Sequence, residues 1–438
     1  MMSRPLTWFG DDFTGSADVL LQYARAGLSG LLFLRTPTPD ELAEAAATHR
    51  TVGIAGVTRA LHPEQIAPVV EEAFALLESI DPRVVQYKIC STADSSPEFG
   101  NIKPAVDAGR RRFGSGPVGI LVAQPDLGRY TVFANHFGRD ANGIHRLDRV
   151  NAMANHAVTP MHEADLRLHF AEQLGTNVGG VPITELRAGR GADAISLLAA
   201  TGVNAFVLDS LETTDLESAA AALLTTSPSK LFTVGSGGLA TGLAAALGET
   251  GAGWAGHNLT GPAPARCLVV SGSASRRTTE QIDEAVANGW TAIALDPTDV
   301  TPDAIDRVAT AAAAAFESTP GVIVYTAHQR LLRATGPVDS ASVGHALAAV
   351  IRDVKRHVDV PRIFVAGGDT SGFVLTGLKA ATLTAIGTVG TDLLLGSVTS
   401  DDPDLGSFEV VLKGGQLGAL DVFQEALEVG TTPIGAHV

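Results

Sequence analysis

Short apolar runs alternate with amphipathic stretches along most of this 438-residue chain. The runs are rich in Val, Ile and Leu, which is typical of strands buried on both faces. The stretches between them repeat their apolar residues with a period near 3.6, which predicts helices. In the first half the pattern predicts strands at 6–9, 30–34, 51–57 and 84–90, separated by helices at 17–26, 39–48 and 63–79.

This alternation continues in the second half and predicts right-handed βαβ units. At 438 residues the chain is too long for one ordinary core. We therefore predict an α/β protein of two domains, each a mostly parallel, Rossmann-like sheet flanked by helices, with the site in the cleft between them. The stretch 248–266 is rich in Gly, Pro and Ala without periodicity, which predicts a linker between domains at 1–247 and 267–438.

Charged and hydroxyl side chains stand at the ends of several strands of the first half. Asp11 and Asp12 follow the first strand, Arg59 follows the third, and Lys88 and Ser91 stand at the end of the fourth. Because ligands bind at the carboxyl ends of parallel strands, these residues predict a site for a small ligand rich in carboxylate and hydroxyl groups. Asp and Ser also cap helices in this position, so each residue taken alone has a structural explanation of equal weight.

Three glycine-rich turns follow predicted strands of the second half: VVSGSAS at 269–275, RIFVAGGDTSG at 362–372 and VVLKGGQLG at 410–418. Glycine lets the backbone approach a phosphate closely, and the N-terminus of a following helix favours negative charge. The turns therefore predict a nucleotide site in which Ser271, Ser273 and Thr370 contact phosphate or ribose. Asp369 would hold magnesium through water or cap the following helix. No GxxxxGK[ST] motif is present, which excludes a P-loop enzyme.

Two further patterns suggest other activities. The segment GSGGLA at 235–240 is close to a dinucleotide fingerprint, which keeps an NAD-dependent oxidoreductase open, although no strand with an acidic residue follows at the expected distance. The segment GDTSG at 368–372 has the form of a hydrolase elbow with Thr at the nucleophile position. No Asp/His pair is suitably placed after it, which argues against a serine hydrolase.

Residues 128–190 interrupt the regular alternation and hold five histidines, His136, His145, His156, His162 and His169. Their spacing does not suit a single metal site, so we predict no protein-bound metal. A segment of this length outside the sheet is expected either to cover the substrate or to form the contact of a homodimer.

Composition narrows the class of partner. The net charge of −16 argues against nucleic acid, since binding a polyanion requires a basic face. The sequence predicts neither a secretory signal nor a membrane span, and Cys90 and Cys267 form no disulfide or zinc motif. We therefore expect a cytoplasmic protein with no membrane partner.

Six motifs resemble the four-carbon acid sugar kinase family, in the same order and in both halves. They are DDFTGSADV at 11–19, YKICSTADSSPEFG at 87–100, HAVTPM at 156–161, VVSGSAS at 269–275, AGGDTSG at 366–372 and KGGQLG at 413–418. The resemblance runs from about residue 4 to residue 427. It implies an ATP-dependent kinase that uses Mg²⁺, with an N-terminal substrate domain and a C-terminal nucleotide domain. Its substrates would be small acid sugars such as threonate, erythronate and oxo-tetronates.

The resemblance also implies roles for individual residues. The implied substrate contacts are Asp11, Asp12, Arg59, Lys88, Ile89, Cys90 and Ser91. The implied ATP contacts are Ser271, Gly367, Gly368, Asp369, Thr370 and Gly415. We expect Arg59 and Lys88 to face the carboxylate of the acid sugar and Asp12 to accept the proton of the attacking hydroxyl, with Asp369 as the rival for that catalytic role.

Two segments depart from the common family pattern. Gln416 stands where an Asn is frequent, and LGRYTVFANHF at 127–137 differs from the Gly-Arg-Thr-Thr run of threonate and erythronate kinases. The second segment is similar to a branch that acts on 3-oxo-isoapionate, a branched acid sugar. A non-catalytic acid-sugar sensor remains an alternative, although intact Asp12, Lys88 and Asp369 argue against it.

Overall fold

The computed structural model describes residues 4–140, 142–155, 159–249, 259, 261–328 and 338–430, without the side chain of Asp369. Contacts within the chain divide it into two compact units, Met1–Leu32 with Thr36–Trp254, and Phe33–Arg35 with Ala255–Val438. Both units are α/β, which confirms the predicted fold class. Most of the predicted linker, residues 250–258 and 260, lies outside the described residues, so its role as a linker stays a prediction.

The first unit is built on a parallel sheet with helices packed against it. Its strands and helices in chain order are β1 (Leu6–Gly10), α1 (Phe13–Arg25), β2 (Gly30–Phe33), α2 (Pro39–Thr48), β3 (Thr51–Ala55), α3 (Pro63–Ser79), β4 (Val84–Lys88), α4 (Lys103–Phe113), β5 (Val118–Leu121), β6 (Arg129–Val132), β7 (Asn135–Asp140), β8 (Gly143–Arg146), α5 (Asn151–Ala154), α6 (Leu166–Leu174), β9 (Val178–Val181), α7 (Ile183–Arg187), α8 (Gly191–Ala200), β10 (Ala205–Leu208), α9 (Thr213–Thr226), β11 (Leu231–Gly235) and α10 (Gly237–Ala246). Parallel pairing joins β3, β1, β4, β11, β5, β10 and β9 in that order.

Part of the irregular segment 128–190 forms a separate antiparallel sheet of β6, β7 and β8. Thr131 of β6 and Ser210, which follows β10, exchange two backbone hydrogen bonds of 2.9 Å. Asp209 accepts the backbone N–H groups of Phe133 and Ala134, the two left-handed residues of the β6–β7 turn, at 2.5 and 2.9 Å. The small sheet is therefore fixed at the carboxyl end of β10.

The second unit holds the remaining elements of the chain. They are β12 (Cys267–Ser271), α11 (Arg276–Ala287), β13 (Thr291–Ala294), α12 (Pro302–Ala315), β14 (Gly321–Tyr325), α13 (Ser340–His357), β15 (Arg362–Ala366), α14 (Gly368–Gly377), β16 (Ala380–Val389), β17 (Leu393–Ser400), β18 (Ser407–Lys413) and α15 (Val422–Glu428). Strands β13, β14, β12, β15 and β18 pair in parallel, whereas β17 and β16 continue the sheet in antiparallel order. None of the described helices is long and apolar enough to cross a membrane.

Strand register brings the functional residues of each unit to one edge. In the first unit Gly10 pairs with Ala55 on β3 and with Lys88 on β4, so Asp11, Arg59 and the residues after Lys88 leave the sheet side by side. In the second unit the three glycine turns lie together at the carboxyl ends of the parallel strands, because Ser271 pairs with Ala366 and Ala366 pairs with Lys413. Both edges are the carboxyl ends of parallel strands, where ligands bind in such sheets.

Candidate active site

The Asp-Asp turn after β1 both caps a helix and begins the candidate site. Helix α1 begins at Phe13, four residues before the predicted start, and Asp12 is its N-cap: its Oδ1 accepts the N–H of Gly15 at 2.9 Å. Thr14 and Ser16, which precede the predicted start and are of residue types that often cap helices, do not cap this one; the Ser16 hydroxyl instead donates to the Asp12 carbonyl at 2.6 Å. The carboxylate of Asp12 therefore lies in the positive end of the helix dipole.

Arg59 bridges both aspartates. Its Nε and Nη2 donate to the two carboxylate oxygens of Asp11 at 3.1 and 2.8 Å, and its Nη1 donates to Asp12 Oδ2 at 2.9 Å. The Asp11 carboxylate is nearly buried, with 6% of its side chain exposed, and the Arg59 side chain is 19% exposed. Bidentate pairing of this kind fixes the guanidinium plane. Three of the five N–H groups of Arg59 are thus committed to the protein's own carboxylates.

Burial and these ion pairs shift the two carboxyl groups in opposite directions. Burial raises the pKa of Asp11, and the charge of Arg59 only partly offsets that effect. For Asp12 burial acts in the same direction, but Arg59, Lys88 and the Gly15 N–H together lower its pKa below the usual value. Asp12 is therefore ionised at neutral pH. The surrounding carboxylates overcome desolvation at Arg59 and raise the pKa of its guanidinium.

Lys88 ends β4 with its side chain inside the protein, where it is 2% exposed. The ammonium occupies space left by Gly15: a Cβ on Gly15 would lie 2.1 Å from Lys88 Nζ and 2.4 Å from Asp12 Oδ1. The structure thus brings Asp11, Asp12, Arg59 and Lys88 together, as the strand-end pattern predicts. Two carboxylates and two cations share this edge of the first unit.

The segment after Lys88 contributes backbone more than side chains. Ile89 is buried, and its N–H donates to the carbonyl of Gly235 at 3.0 Å. Burial raises the pKa of the Cys90 thiol to about 11, and its Sγ lies 2.9 Å from Thr92 Oγ1, so Cys90 is not an activated nucleophile. The carbonyl of Ser91 accepts a hydrogen bond of 2.9 Å from His136 Nε2.

His136 of β7 is a functional neighbour that sequence analysis did not single out. It is fully buried, and burial lowers its pKa to about 4, so the imidazole is neutral. Since a carbonyl can only accept, Nε2 carries the proton and donates to Ser91, while Nδ1 accepts from the Thr131 hydroxyl at 2.9 Å. The small sheet therefore supports the segment that ends β4. Among the described residues, no cluster of three or more His, Cys, Asp or Glu side chains could hold a metal ion.

The three glycine turns of the second unit meet each other. A Cβ on Gly272 would lie 2.3 Å from Thr370 Oγ1, and one on Gly367 would lie 2.7 Å from the same atom. A Cβ on Gly415 would lie 3.1 Å from the hydroxyl of Ser273. Ser271 is fully buried at the end of β12, and its hydroxyl accepts the N–H of Ser273 at 3.4 Å. The first two turns thus need glycine where they meet, and the third turn is in close contact with the first at Gly415.

Lys413 anchors the third turn and is a second residue that sequence analysis missed. Its buried ammonium donates to Thr278 Oγ1 at 3.0 Å and to the carbonyls of Gly414 and Gly415 at 3.1 and 3.3 Å. The Gly415 carbonyl also accepts from the hydroxyl of Ser275 at 2.5 Å. Burial, with a contribution from Arg277, lowers the pKa of Lys413 to about 7.

Helix α14 presents an open N-terminus in the second turn. Its N-cap is Gly367 at φ +127°, and in the part of the chain that the structure describes no side chain caps it and nothing lies within 4 Å of a Cβ built on Gly368. Uncapped N–H groups at a helix N-terminus are suited to bind an anion. Asp369 is the second residue of this helix, but its side chain lies outside the described part of the structure, so its catalytic and ATP-contact roles stay predictions.

The GSGGLA turn has no room for a dinucleotide. A Cβ on Gly237 would lie 2.1 Å from Asp18 Oδ2, and one on Gly238 would lie 2.1 Å from the Ala123 carbonyl oxygen. Both glycines are buried, and Ser236 caps α10 through the N–H of Gly238. The protein's own atoms therefore fill the position that a pyrophosphate would need. The NAD alternative finds no support.

Two family models match the chain. One described as a sugar-binding N-terminal domain matches residues 6–243, and one described as a nucleotide-binding C-terminal domain matches residues 268–423. The first covers the Asp11–Asp12–Arg59–Lys88 cluster, and the second covers the three converging glycine turns.

Curated relatives are kinases. A 3-oxo-isoapionate kinase from Paraburkholderia graminis is 34% identical over 95% of this chain and 93% of its own. A 3-oxo-tetronate kinase from Methylobacterium radiotolerans is 30% identical over 98% of this chain and 100% of its own.

Solved structures share the fold. One from Salmonella typhimurium has a TM-score of 0.76 at 23% identity and covers 96% of this chain and 98% of its own. One from Haemophilus influenzae has a TM-score of 0.70 at 23% identity and covers 96% of this chain and 99% of its own. At this identity they show the fold alone.

Proposed function

Because this chain belongs to the four-carbon acid sugar kinase family, we propose that it phosphorylates 3-oxo-isoapionate, a branched acid sugar. The chain is an ATP-dependent kinase of a small acid sugar, and the proposal concerns which sugar it uses. The similarity to the Paraburkholderia graminis enzyme, together with LGRYTVFANHF at 127–137, favours the branched substrate. The full-length 3-oxo-tetronate kinase relative keeps 3-oxo-tetronate as the second candidate.

The charged cluster at the carboxyl edge of the first unit supports the binding of an acid sugar there. In it we assign the substrate to Asp11, Asp12, Arg59, Lys88 and the segment that ends at Ser91. Asp12 is ionised and held at a fixed position by Arg59 and the Gly15 N–H, which suits an acceptor for the proton of the attacking hydroxyl. Phosphoryl transfer needs mostly positioning and charge stabilisation, so a weakly basic carboxylate is sufficient.

We assign the nucleotide to the glycine turns of the second unit. ATP supplies the γ-phosphoryl group. The open N-terminus of α14 would bind phosphate oxygens, and Gly367, Thr370 and Gly415 line the point where the turns meet. Lys413 fixes the Gly415 carbonyl and thereby the shape of the third turn. Mg²⁺ fits the proposal as an ion bound chiefly by the phosphates, which is its usual mode in kinases. We also propose that the enzyme acts in the cytoplasm.

A coupled ADP-release assay tests the choice of sugar. The wild-type protein with Mg-ATP is offered 3-oxo-isoapionate, 3-oxo-tetronate, threonate and erythronate. We expect the highest kcat/KM with 3-oxo-isoapionate. A higher kcat/KM with any other acid in the panel would contradict the proposal and identify the preferred substrate.

The same assay tests the role of Asp12. Asp12→Asn keeps the size and the Gly15 hydrogen bond but removes the negative charge and the oxygen that accepts from Arg59 Nη1, so kcat should fall roughly 100-fold or more while the KM for ATP stays unchanged. Near-normal kcat would show that another group accepts the proton.

A further inference from the structure

A second arginine of the first unit, Arg129, forms no ion pair with a described carboxylate, and its β-strand packs beside residues 88–91, which we call the substrate segment. Arg129 opens β6, and its Nη1 donates to the carbonyls of Leu127, Gly128 and Arg139 at 3.1 to 3.2 Å. Its Nε is buried and has no hydrogen-bond partner. Within the described residues no hydrogen bond engages its Nη2, and no carboxylate forms an ion pair with it. Burial lowers the pKa of this guanidinium, which reflects the cost of holding an unpaired charge there.

Strand register directs this side chain toward the substrate segment. Side chains two residues apart on a strand share a face, so Arg129 lies on the same face as Thr131. Thr131 pairs in register with His136 and hydrogen-bonds its ring, and His136 in turn donates to the Ser91 carbonyl. The residue opposite Arg129 is Gly138, and a Cβ there would lie 3.1 Å from the side chain of Leu147, 3.4 Å from that of Val150 and 3.7 Å from Arg129 Nη1, so the absence of a side chain at Gly138 leaves room for the guanidinium.

An acid substrate that binds beside Asp11, Asp12, Arg59 and Lys88 adds a negative charge, which a further cation would balance. Arg59 is engaged by Asp11 and Asp12, so the two cations and two carboxylates of that cluster already balance. Cys90 and Asp94 interact electrostatically with Arg129 and raise its pKa, but burial has the larger effect and lowers it. Arg129 forms no ion pair with a described carboxylate, so its guanidinium can still pair with an incoming carboxylate.

We propose that Arg129 binds the carboxylate of the acid sugar through its Nη2, and so selects acids over neutral sugars. This inference rests on the proposed function, namely that the first unit binds an acid sugar. The β6–β7 hairpin is a rigid support for the role, because Asp209 and Ser210 hold it at the end of β10.

The test compares an acid with its uncharged analogue. The acid is the panel member with the highest kcat/KM in wild type, and the analogue is its carboxamide. A wrong choice of sugar therefore contradicts the proposed function without affecting this test. Arg129→Met should lower kcat/KM for the acid roughly 10- to 150-fold and leave the carboxamide almost unchanged, so the acid-to-amide ratio falls by the same factor. The KM for ATP should not change.

Two further variants separate binding from structural support. Arg139→Met removes an exposed arginine from the same hairpin and should keep the wild-type ratio. Arg129→Lys keeps the charge without the planar fork and should give an intermediate ratio. Equal losses for acid and amide in Arg129→Met, or an unchanged ratio, would overturn the inference. If thermal unfolding shows that Arg129→Met does not fold, Arg129→Lys decides: a lowered ratio supports the inference and a wild-type ratio overturns it.

Discussion

Substitution of Gly15 by alanine should separate folding from substrate binding. Gly15 lies in the first turn of α1 and has no positive φ, so its backbone accepts alanine without strain. The new Cβ, however, would lie 2.1 Å from Lys88 Nζ and 2.4 Å from Asp12 Oδ1. Carbon atoms at rest keep neighbours at about 3.5 Å, so the ammonium and the carboxylate must each move by roughly 1 Å or more.

Gly15→Ala should affect stability much less than catalysis. Alanine stabilises a helix relative to glycine by about 1 kcal/mol, which offsets part of the cost of moving the flexible end of Lys88. We therefore expect the thermal unfolding midpoint to change little. Misplacement of binding groups by about 1 Å costs on the order of 100-fold in rate, so kcat/KM for the acid sugar should fall by that factor. ATP binding, which we assign to the second unit, should be unaffected.

The assay combines ADP release with calorimetric titration of the acid sugar and of ATP. Gly116→Ala is the matched control, because nothing lies within 4 Å of a Cβ at that position of the same unit. It should behave as wild type in all three measurements. A Gly15→Ala protein with near-normal kcat/KM would refute the reasoning, since it would show that the positions of Lys88 and Asp12 do not matter to the reaction.

Two other predictions follow from the packing of buried groups. Lys413 is protonated in the unfolded chain but has a pKa of about 7 when folded, so between pH 7 and about 10 its titration should make folding more favourable by about 1.4 kcal/mol per pH unit. Chemical unfolding of Lys413→Met at pH 7 and pH 9 should lack that increase; an identical pH dependence would show that the ammonium stays charged. Gly238→Ala should lower the free energy of unfolding by about 1–3 kcal/mol, because the Ala123 backbone cannot yield to the new Cβ. Unchanged unfolding of that variant would contradict the close packing that excludes a dinucleotide.

Helix starts were predictable where the sequence offers one choice. Helices α2 and α3 have the bounds predicted from periodicity, because a proline at N1 fixes each start. The start of α1 was wrong because Asp12, Thr14 and Ser16 are all residues that cap helices. Asp12 is the cap in the structure, where Arg59 binds its other oxygen, and that contact comes from a residue 47 positions away. Local sequence carries no record of it.

The hydrophobic pattern of the sequence predicted strand pairing less well than any other part of the fold. The βα alternation predicted the parallel strands, but β16 and β17 were not predicted. They add an antiparallel ribbon to the sheet of the second unit. Their residues are mixed apolar, Thr, Ser and Gly, with irregular register at Ala380 and Ala385. Such strands are stabilised by their partners across the sheet rather than by intrinsic preference.

The strand-end rule found the charged cluster but not how its charges are distributed. It grouped Asp11, Asp12, Arg59 and Lys88 correctly, but neither it nor the family resemblance, which assigned Arg59 to the substrate carboxylate, indicated that Arg59 is bound by two aspartates. It also missed His136, because a histidine in an irregular segment gives no sign of which backbone carbonyl it meets. Such contacts depend on how the β6–β8 sheet docks, which periodicity does not encode.

One signal in the sequence could have found Lys413. The strands VVQYK and FEVVLK both end in lysine after apolar residues, and in a strand buried on both faces even a terminal lysine is forced inside. Lys88 is 2% exposed and Lys413 is 0% exposed. Their surroundings then give them different roles. Lys88 lies beside the carboxylates of Asp11 and Asp12, which suits a cation that binds substrate. Among the described residues, Lys413 has only neutral oxygens as hydrogen-bond partners and Arg277 as a charged neighbour, which suits a group that shapes a turn.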